Sequence, residues 1–276
     1  MAKYSRLVST AIGTKVVLTV RKQERKKTQS YKNKVVQTCL LAGKILIENG
    51  SELNRVSDTI KRIAMNAGLD DLNAYVTITG LMISANDEAG AQIKEVEQRN
   101  FDLRRIAAVN KLSRRFAEHK LTIFQFYRLL LKVEHIGLYY PFWLLMVAAA
   151  VLSGAITVVF NNDLPDFFIT SLVGMFGWLI FHELSLRVQA SFISEFVSAM
   201  AIGAMAIYAV RLGLGQSTDN IIIGAVMPLV PGVPITNAVR DLISGNLISG
   251  PARGVEALIC ACALGFGVSL ALIWLG

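Results

Sequence analysis

From residue 142 onward the chain is a succession of apolar runs with few ionisable residues between them. The runs are 142–160, 167–181, 192–210, 220–235 and 255–275. A helix that crosses the hydrocarbon core of a bilayer needs about 20 mostly apolar residues, within a range of about 17–25. The first, third and fifth runs meet that length; the second and fourth are short, and prolines interrupt the fourth. In lipid the backbone must satisfy its own polar groups, and helices do this within one segment. The expectation is an all-α membrane domain of about five transmembrane helices. Four spans with a re-entrant hairpin in place of the fourth is the alternative.

Charge divides the chain at the same place. Residues 1–141 hold 24 Lys+Arg and 13 Asp+Glu, a balance of +11, whereas residues 142–276 hold 4 and 7, a balance of −3. A domain boundary at 141/142 follows, with a basic tail over 1–34 and a polar domain over 35–141. Basic residues near helix ends collect on the cytoplasmic side. Arg128 and Lys132 precede the first run, Arg187 lies between the second and third, and Arg240 and Arg253 lie between the fourth and fifth. On the other side only Arg211 appears. The N-terminal domain is therefore expected in the cytoplasm and residue 276 outside, in a multi-pass protein of the cell membrane. The N-terminus lacks the pattern of a signal peptide: Lys15 interrupts its weakly apolar stretch and a basic run follows.

The polar domain reads as α+β. Apolar spacing predicts helices over 35–47 and 52–67, the second capped by Ser51 and stopped by Gly68. Residues 72–83, rich in Val, Ile, Thr and Tyr and broken at Gly80, predict two strands or one bent strand, and 91–98 a third. Helices are expected again over 102–119 and 122–137. Enzyme candidates here are Ser84, Asp87, Glu88, His119 and His135. No nucleophile elbow, phosphate loop or metal-binding His pair accompanies them, so neither an enzyme nor a cofactor is expected. A basic stripe, Arg104, Arg105, Lys111, Arg114, Arg115 and Lys120, fits solvent or lipid headgroups better than nucleic acid. Cys39, Cys260 and Cys262 suggest neither a disulfide framework nor a metal site.

The membrane half carries its chemistry in 227–254, MPLVPGVPITNAVRDLISGNLISGPARG. Pro228, Pro231, Pro234 and Gly232 end a helical run, because proline lacks the N–H and clashes with the preceding turn. Asn237, Arg240 and Asp241 follow at once. Either this is a broken helix at a transport site, or a kinked helix end followed by an ordinary loop. Glu195 and Glu256, each read as lying in the first turn of its helix, are the acidic candidates for a path or coupling role. His182 and Glu183 read as interfacial anchors. Ala257, Ala261, Gly265 and Ser269 recur every four residues and predict a face buried against another helix, of this chain or a partner; the pair Ala199 and Gly203 is a weaker sign of the same thing.

Four segments resemble the threonine/serine exporter family, and within it the half-length YjjP-like members. Gly50, Arg55, Val56, Asp58, Thr59, Arg62 and Ile63 fit the family pattern G-x-x-x-x-R-V-x-D-T-[IM]-x-R-I-A. Thr79-Gly80 fits the turn of its strand pair, and Val109-Asn110 with Leu112-Ser113-Arg114-Arg115 fits a later helix. Residues 231–246 fit P-G-x-x-x-T-N-x-x-R-D-L-x-x-G-[DN]. The resemblance implies secondary export of threonine and serine or, for YjjP-like pairs, of a dicarboxylate such as succinate. It also implies a second small membrane subunit; a homo-oligomer is the further partner considered. The expected substrate site is Pro231, Gly232, Thr236, Asn237, Arg240 and Asp241. Arg240 would hold a carboxylate through its fork of donors. Asp241 would hold an ammonium group or neutralise Arg240, unless the two simply pair with each other. The rival reading is a membrane-anchored hydrolase or a regulatory subunit with a sensing domain.

Overall fold

A computed structural model describes residues 29–85, 90–97, 101–135, 140–161, 164–188 and 191–276. The basic tail expected over 1–34 falls largely outside these, as do Asp87 and Glu88. The chain forms two compact units, Met1–Ile136 and Gly137–Gly276.

In the first unit, helices α1 (29–48) and α2 (Leu53–Asn66) precede an antiparallel sheet of β1 (Leu72–Val76), β2 (Gly80–Ala85) and β3 (Ala91–Glu95), in that order. Helices α3 (Leu103–Ala117) and α4 (Ile123–His135) follow. The α2 stripe Leu53, Val56, Ile60, Ile63 and Ala64 is buried, as its spacing predicts. Its N-cap is Glu52 rather than Ser51. Gly43 lets α1 close on this core: a Cβ there would stand 2.6 Å from Leu81 Cδ1 and 2.9 Å from Ile60 Cδ1. Two contacts tie α1 to α4. Lys44 pairs with Glu134 at 3.0 Å, and the Lys34 ammonium sits 3.5 Å from the centre of the Tyr127 ring.

The second unit is wholly helical over its described residues. Helices α5 (Phe142–Asn161), α6 (Phe167–Arg187) and α7 (Ser191–Arg211) lead to a short α8 (Thr218–Val226). A 3-10 turn, Met227–Leu229, connects α8 to α9 (Gly232–Ile243), and α10 (Ser249–Leu275) ends the unit. Four helices, α5, α6, α7 and α10, are long and apolar enough to cross a membrane, and a fifth crossing exists if the α8–α9 pair, bent by 61°, is one span. Three expectations need correction. The second run does not stop at 181, because His182 and Glu183 continue α6 to Arg187. The fifth begins at Ser249 rather than 255, since Pro251 occupies the first turn, where a missing N–H costs nothing. The stretch after 235 is not a loop: α9 runs on to Ile243.

The direction of α10 organises the unit. A Cβ on Gly267 would stand 2.3 Å from Phe196 O and 3.0 Å from Ala199 Cβ, and one on Gly203 would stand 2.8 Å from Ala271 Cβ. Further along, Arg211 donates to the carbonyls of Leu275 and Gly276. Residue numbers rise together along both helices, so α7 and α10 run parallel. The chain between them, α8–turn–α9, therefore connects opposite ends of the bundle. The offset of 64 between Arg211 and Leu275 also places the start of α10 roughly two turns beyond the start of α7. On that overhang α10 is packed by α9.

Helix α8 occupies the middle of the unit. A Cβ on Gly224 would lie 1.9 Å from Thr157 Oγ1 on α5 and 2.7 Å from Thr170 Cγ2 on α6, so only glycine permits this approach. The Asp166 carboxylate pins the loop before α8 by accepting from the N–H groups of Gln216 at 2.7 Å and Ser217 at 3.2 Å.

The small-residue faces meet different neighbours within the chain. Ala199 and Gly203 on α7 meet Gly267 and Ala271 on α10 at backbone distance. Of the expected ridge, Ala257 is buried, whereas Ala261, Gly265 and Ser269 are exposed, and a Cβ on Gly265 would meet nothing within 4 Å. Gly267→Leu should therefore force α7 and α10 apart, at a cost of about 1–3 kcal/mol or more for overpacking. Gly265→Leu should leave the stability of the isolated chain close to that of the parent. Thermal melting of the detergent-solubilised protein checks the pair; equal melting of the two variants would refute this packing.

Candidate functional site

The α8–α9 break is built from three prolines whose positions each avoid a lost hydrogen bond. Pro228 lies in the 3-10 turn, Pro231 is the N-cap of α9, and Pro234 falls in its first turn, where helical N–H groups lack intrahelical partners in any case. The freed backbone is met locally. Val230 N–H donates to Met227 O at 3.2 Å, Gly232 N–H to Val230 O at 2.8 Å and Ile235 N–H to Pro231 O at 3.1 Å. Thr236 Oγ1 donates to Gly232 O at 2.9 Å.

Helix α9 then turns back on α10 as a tight hairpin. Gly245, at φ 84°, supplies the left-handed residue after α9, and Asn246 N–H donates to Asp241 O at 2.9 Å. A Cβ on Gly250 would stand 2.9 Å from Leu242 N and 3.3 Å from Ala238 O, so the two backbones touch. At the centre of this contact Asp241, with 0% of its surface exposed, accepts from Arg253 Nη1 through Oδ2 at 2.8 Å. Arg253 had served only as a marker of orientation in the sequence. Arg253, twelve residues on, is thus a charge partner of Asp241.

The six candidate residues divide between different faces of α9. Gly232, Thr236 and Arg240, four residues apart, lie exposed along one face of α9. Pro231 and Asn237 are half-buried, and Asp241 is buried against α10.

Glu195 lies at the other contact of α10. It is 7% exposed, and its Oε2 has no hydrogen-bond partner among the described residues. The Cys260 thiol on α10 lies near this carboxylate. Glu256 is exposed and lies in the third turn of α10, not the first, because that helix starts at Ser249.

The histidine candidates of the first unit stand apart from any such arrangement. His119 occupies an exposed turn after α3 at φ 56°, and His135 Nδ1 lies 2.8 Å from Leu131 O. Cys39 is enclosed, and burial pushes its thiol up to about 12, far from a reactive thiolate at neutral pH. Among the described residues no group of three His, Cys, Asp or Glu is placed to hold a metal ion.

Residues 37–274 match the family described as "Putative threonine/serine exporter". The chain belongs to the threonine/serine exporter family. Together with its long apolar helices, this makes it a multi-pass membrane protein of an exporter class. Within the family it is 26% identical over 257 residues to the "Probable succinate transporter subunit YjjP" of Klebsiella aerogenes, covering 90% of this chain and 96% of that one. The Escherichia coli K12 protein of the same description is 24% identical over 248 residues, covering 87% and 94%. The "Probable threonine/serine exporter" of Mycobacterium tuberculosis is 20% identical over 247 residues, covering 88% of this chain but 46% of that protein. These relatives are named as transporters rather than enzymes. No solved structure matches the chain.

For this exporter-family chain the buried pair predicts an asymmetric stability response. Asp241→Ala leaves the Arg253 charge enclosed without its counter-charge, which costs about 3–5 kcal/mol. The double change Asp241→Leu with Arg253→Met removes both charges and should recover most of that loss. Melting temperatures of the three proteins in one detergent test this; a double variant as unstable as Asp241→Ala would contradict it.

Proposed function

We propose that this chain is the membrane subunit of a secondary exporter of small dicarboxylates, acting with a second small membrane subunit. The N-terminal unit lies in the cytoplasm and the α8–α9 pair is the fourth of five spans. Substrate binds at the break, against Pro231, Gly232, Thr236 and Asn237, with Arg240 as the carboxylate ligand and Asp241 behind it.

One observation carries the substrate class. The Asp241 carboxylate, the obvious partner for an amino-acid ammonium group, is buried and engaged by Arg253. An ammonium would have to displace a guanidinium already in place. Arg240, on the exposed face of α9, offers an anion the planar donor fork that suits a carboxylate. The succinate wording of two relatives' names supports the same class, whereas the family description favours threonine and serine. The word "subunit" in those names supports a partner, as does the Mycobacterium relative, which is about twice the length matched here. The uncovered face of Ala261, Gly265 and Ser269 is available to it. The parallel course of α7 and α10 supports five spans, with the two ends of the membrane unit on opposite sides.

Efflux from preloaded cells tests the reading. Cells expressing the chain and its second subunit should release labelled succinate faster than controls. Arg240→Ala removes charge-assisted hydrogen bonds worth about 1.5–3 kcal/mol, so efflux at low substrate should fall roughly 10- to 150-fold. Arg240→Lys should fall nearly as far, since lysine keeps the charge but loses the planar fork. Release of threonine without succinate would move the substrate to the amino-acid class, and full activity of Arg240→Ala would move the site elsewhere. Topology has its own check: a reporter active only outside the cytoplasm should be active when fused after α10 and silent when fused before α1.

A further inference from the structure

We infer that Glu195 is the proton-coupling carboxyl of this exporter, taking up and releasing one proton at the α7–α10 interface during each cycle. The inference rests on the export reading above and adds to it the coupling ion and the residue that carries it.

The placement of Glu195 is hard to explain as architecture. An acidic residue near a helix start is ordinarily explained by its reach to water or by the helix dipole. Glu195 does not reach water: it is 7% exposed, and its Oε2 is enclosed without a hydrogen-bond partner among the described residues. With a proton, a carboxyl is a neutral group that apolar helices can enclose. Without one it is a charge that requires water or a cation. A group held in this setting couples its proton to the opening and closing of the helices around it.

Its surroundings favour a proton over a metal cation. The side chain identified beside it is the Cys260 thiol. Hard cations such as sodium or magnesium take several oxygen ligands, and a thiol is a poor substitute. The ionisable groups of the helices packed on α7 at this end are few. On α10 they are Arg253, Glu256, Cys260 and Cys262. On α6 they are His182, stacked on Trp178, and Glu183, paired with Arg187 at 3.3 Å. Asp219 of α8 lies at the opposite end of the bundle.

Helix α10 also connects Glu195 to the break. Arg253, Glu256 and Cys260 follow one another at spacings of three and four, on one face of the helix. The Asp241–Arg253 pair therefore lies about 10 Å along α10 from the level of Glu195. A change of charge at Glu195 is near enough to bias the ion pair that closes the α9–α10 hairpin.

Everted vesicles from cells expressing the full chain with its second subunit test the coupling. An imposed acid-inside gradient should accelerate uptake of labelled succinate by the wild type several-fold. Glu195→Gln should lose that acceleration yet still exchange internal unlabelled for external labelled succinate. Glu195→Asp should retain part of the response. Gradient-driven uptake by Glu195→Gln equal to wild type would overturn the inference. A second measurement needs no substrate. Dicyclohexylcarbodiimide attacks protonated carboxyls in apolar surroundings, so it should modify Glu195 in native membranes, with modification falling as pH is raised. No modification of Glu195 at any pH would also overturn the inference. Wild-type vesicles that move neither succinate nor threonine, with Glu195 modified as expected, would instead count against the export reading and leave the proton site standing.

Discussion

Two helices in parallel contact must be joined by a chain that returns along the bundle. In this protein α7 and α10 touch through Ala199, Gly203, Gly267 and Ala271, without large side chains to hold them apart. That contact sets the requirement for the rest of the membrane unit. The return has to be made by α8 and α9, and α8 is only 9 residues long. A straight crossing helix would place α9 on the far side of the bundle from α10. The break at Pro231 instead redirects the chain by 61°, so that α9 meets the start of α10. The irregular backbone is thus where the geometry of its neighbours needs a change of direction, and its polar groups are satisfied there.

The scarcity of charge in the second unit gives several of its ionic groups a definable role. Arg211 is bound to the carbonyls at the end of α10, where a cation complements the negative end of the helix. Asp166 holds the loop that starts α8. Arg187 and Glu183 pair on an exposed surface, which contributes little to stability. Among the described residues Asp241 and Arg253 are a buried pair, and Glu195 is a carboxylate with an unsatisfied oxygen. The first three contacts sit at helix ends and suit fixed geometry. The last two lie on either flank of the first half of α10, where a helix movement would change their surroundings.

What the sequence conveyed depended on how local the cause was. Strands interrupted at Gly80 and helices with a clear apolar stripe, such as α2, follow from spacing alone. Prolines misled the reading of 231–253, because a proline in a first turn looks like one that ends a helix; α9 and the early start of α10 were hidden for that reason. The partner of Asp241 was not legible, since burial of Arg253 depends on Gly250 letting two backbones touch. A signal was present in Asp241 and Arg253 flanking a Gly-Asn turn, which is the pattern of a charge-closed helical hairpin. The ridge through Gly265 looked better than the pair Ala199 and Gly203 because it was longer. Contact is decided by which face meets a neighbour, and periodicity does not report that. The proximity of Cys260 to Glu195 follows only from the register of two helices far apart in the chain.

Helix α10 has 27 residues and is about 40 Å long, whereas the hydrocarbon core of a bilayer is about 30 Å thick. If the length of α10 packed on α7 is what spans the core, the overhang that carries Arg253 brings the buried pair near the height at which acyl chains give way to headgroups. The dielectric environment of that pair is then partly a property of the lipid. A thicker bilayer would draw the hairpin toward hydrocarbon and make separating the two charges harder; a thinner one would admit water to them. Membrane composition thereby becomes a setting on the ion pair, acting through bilayer thickness without any lipid-binding pocket.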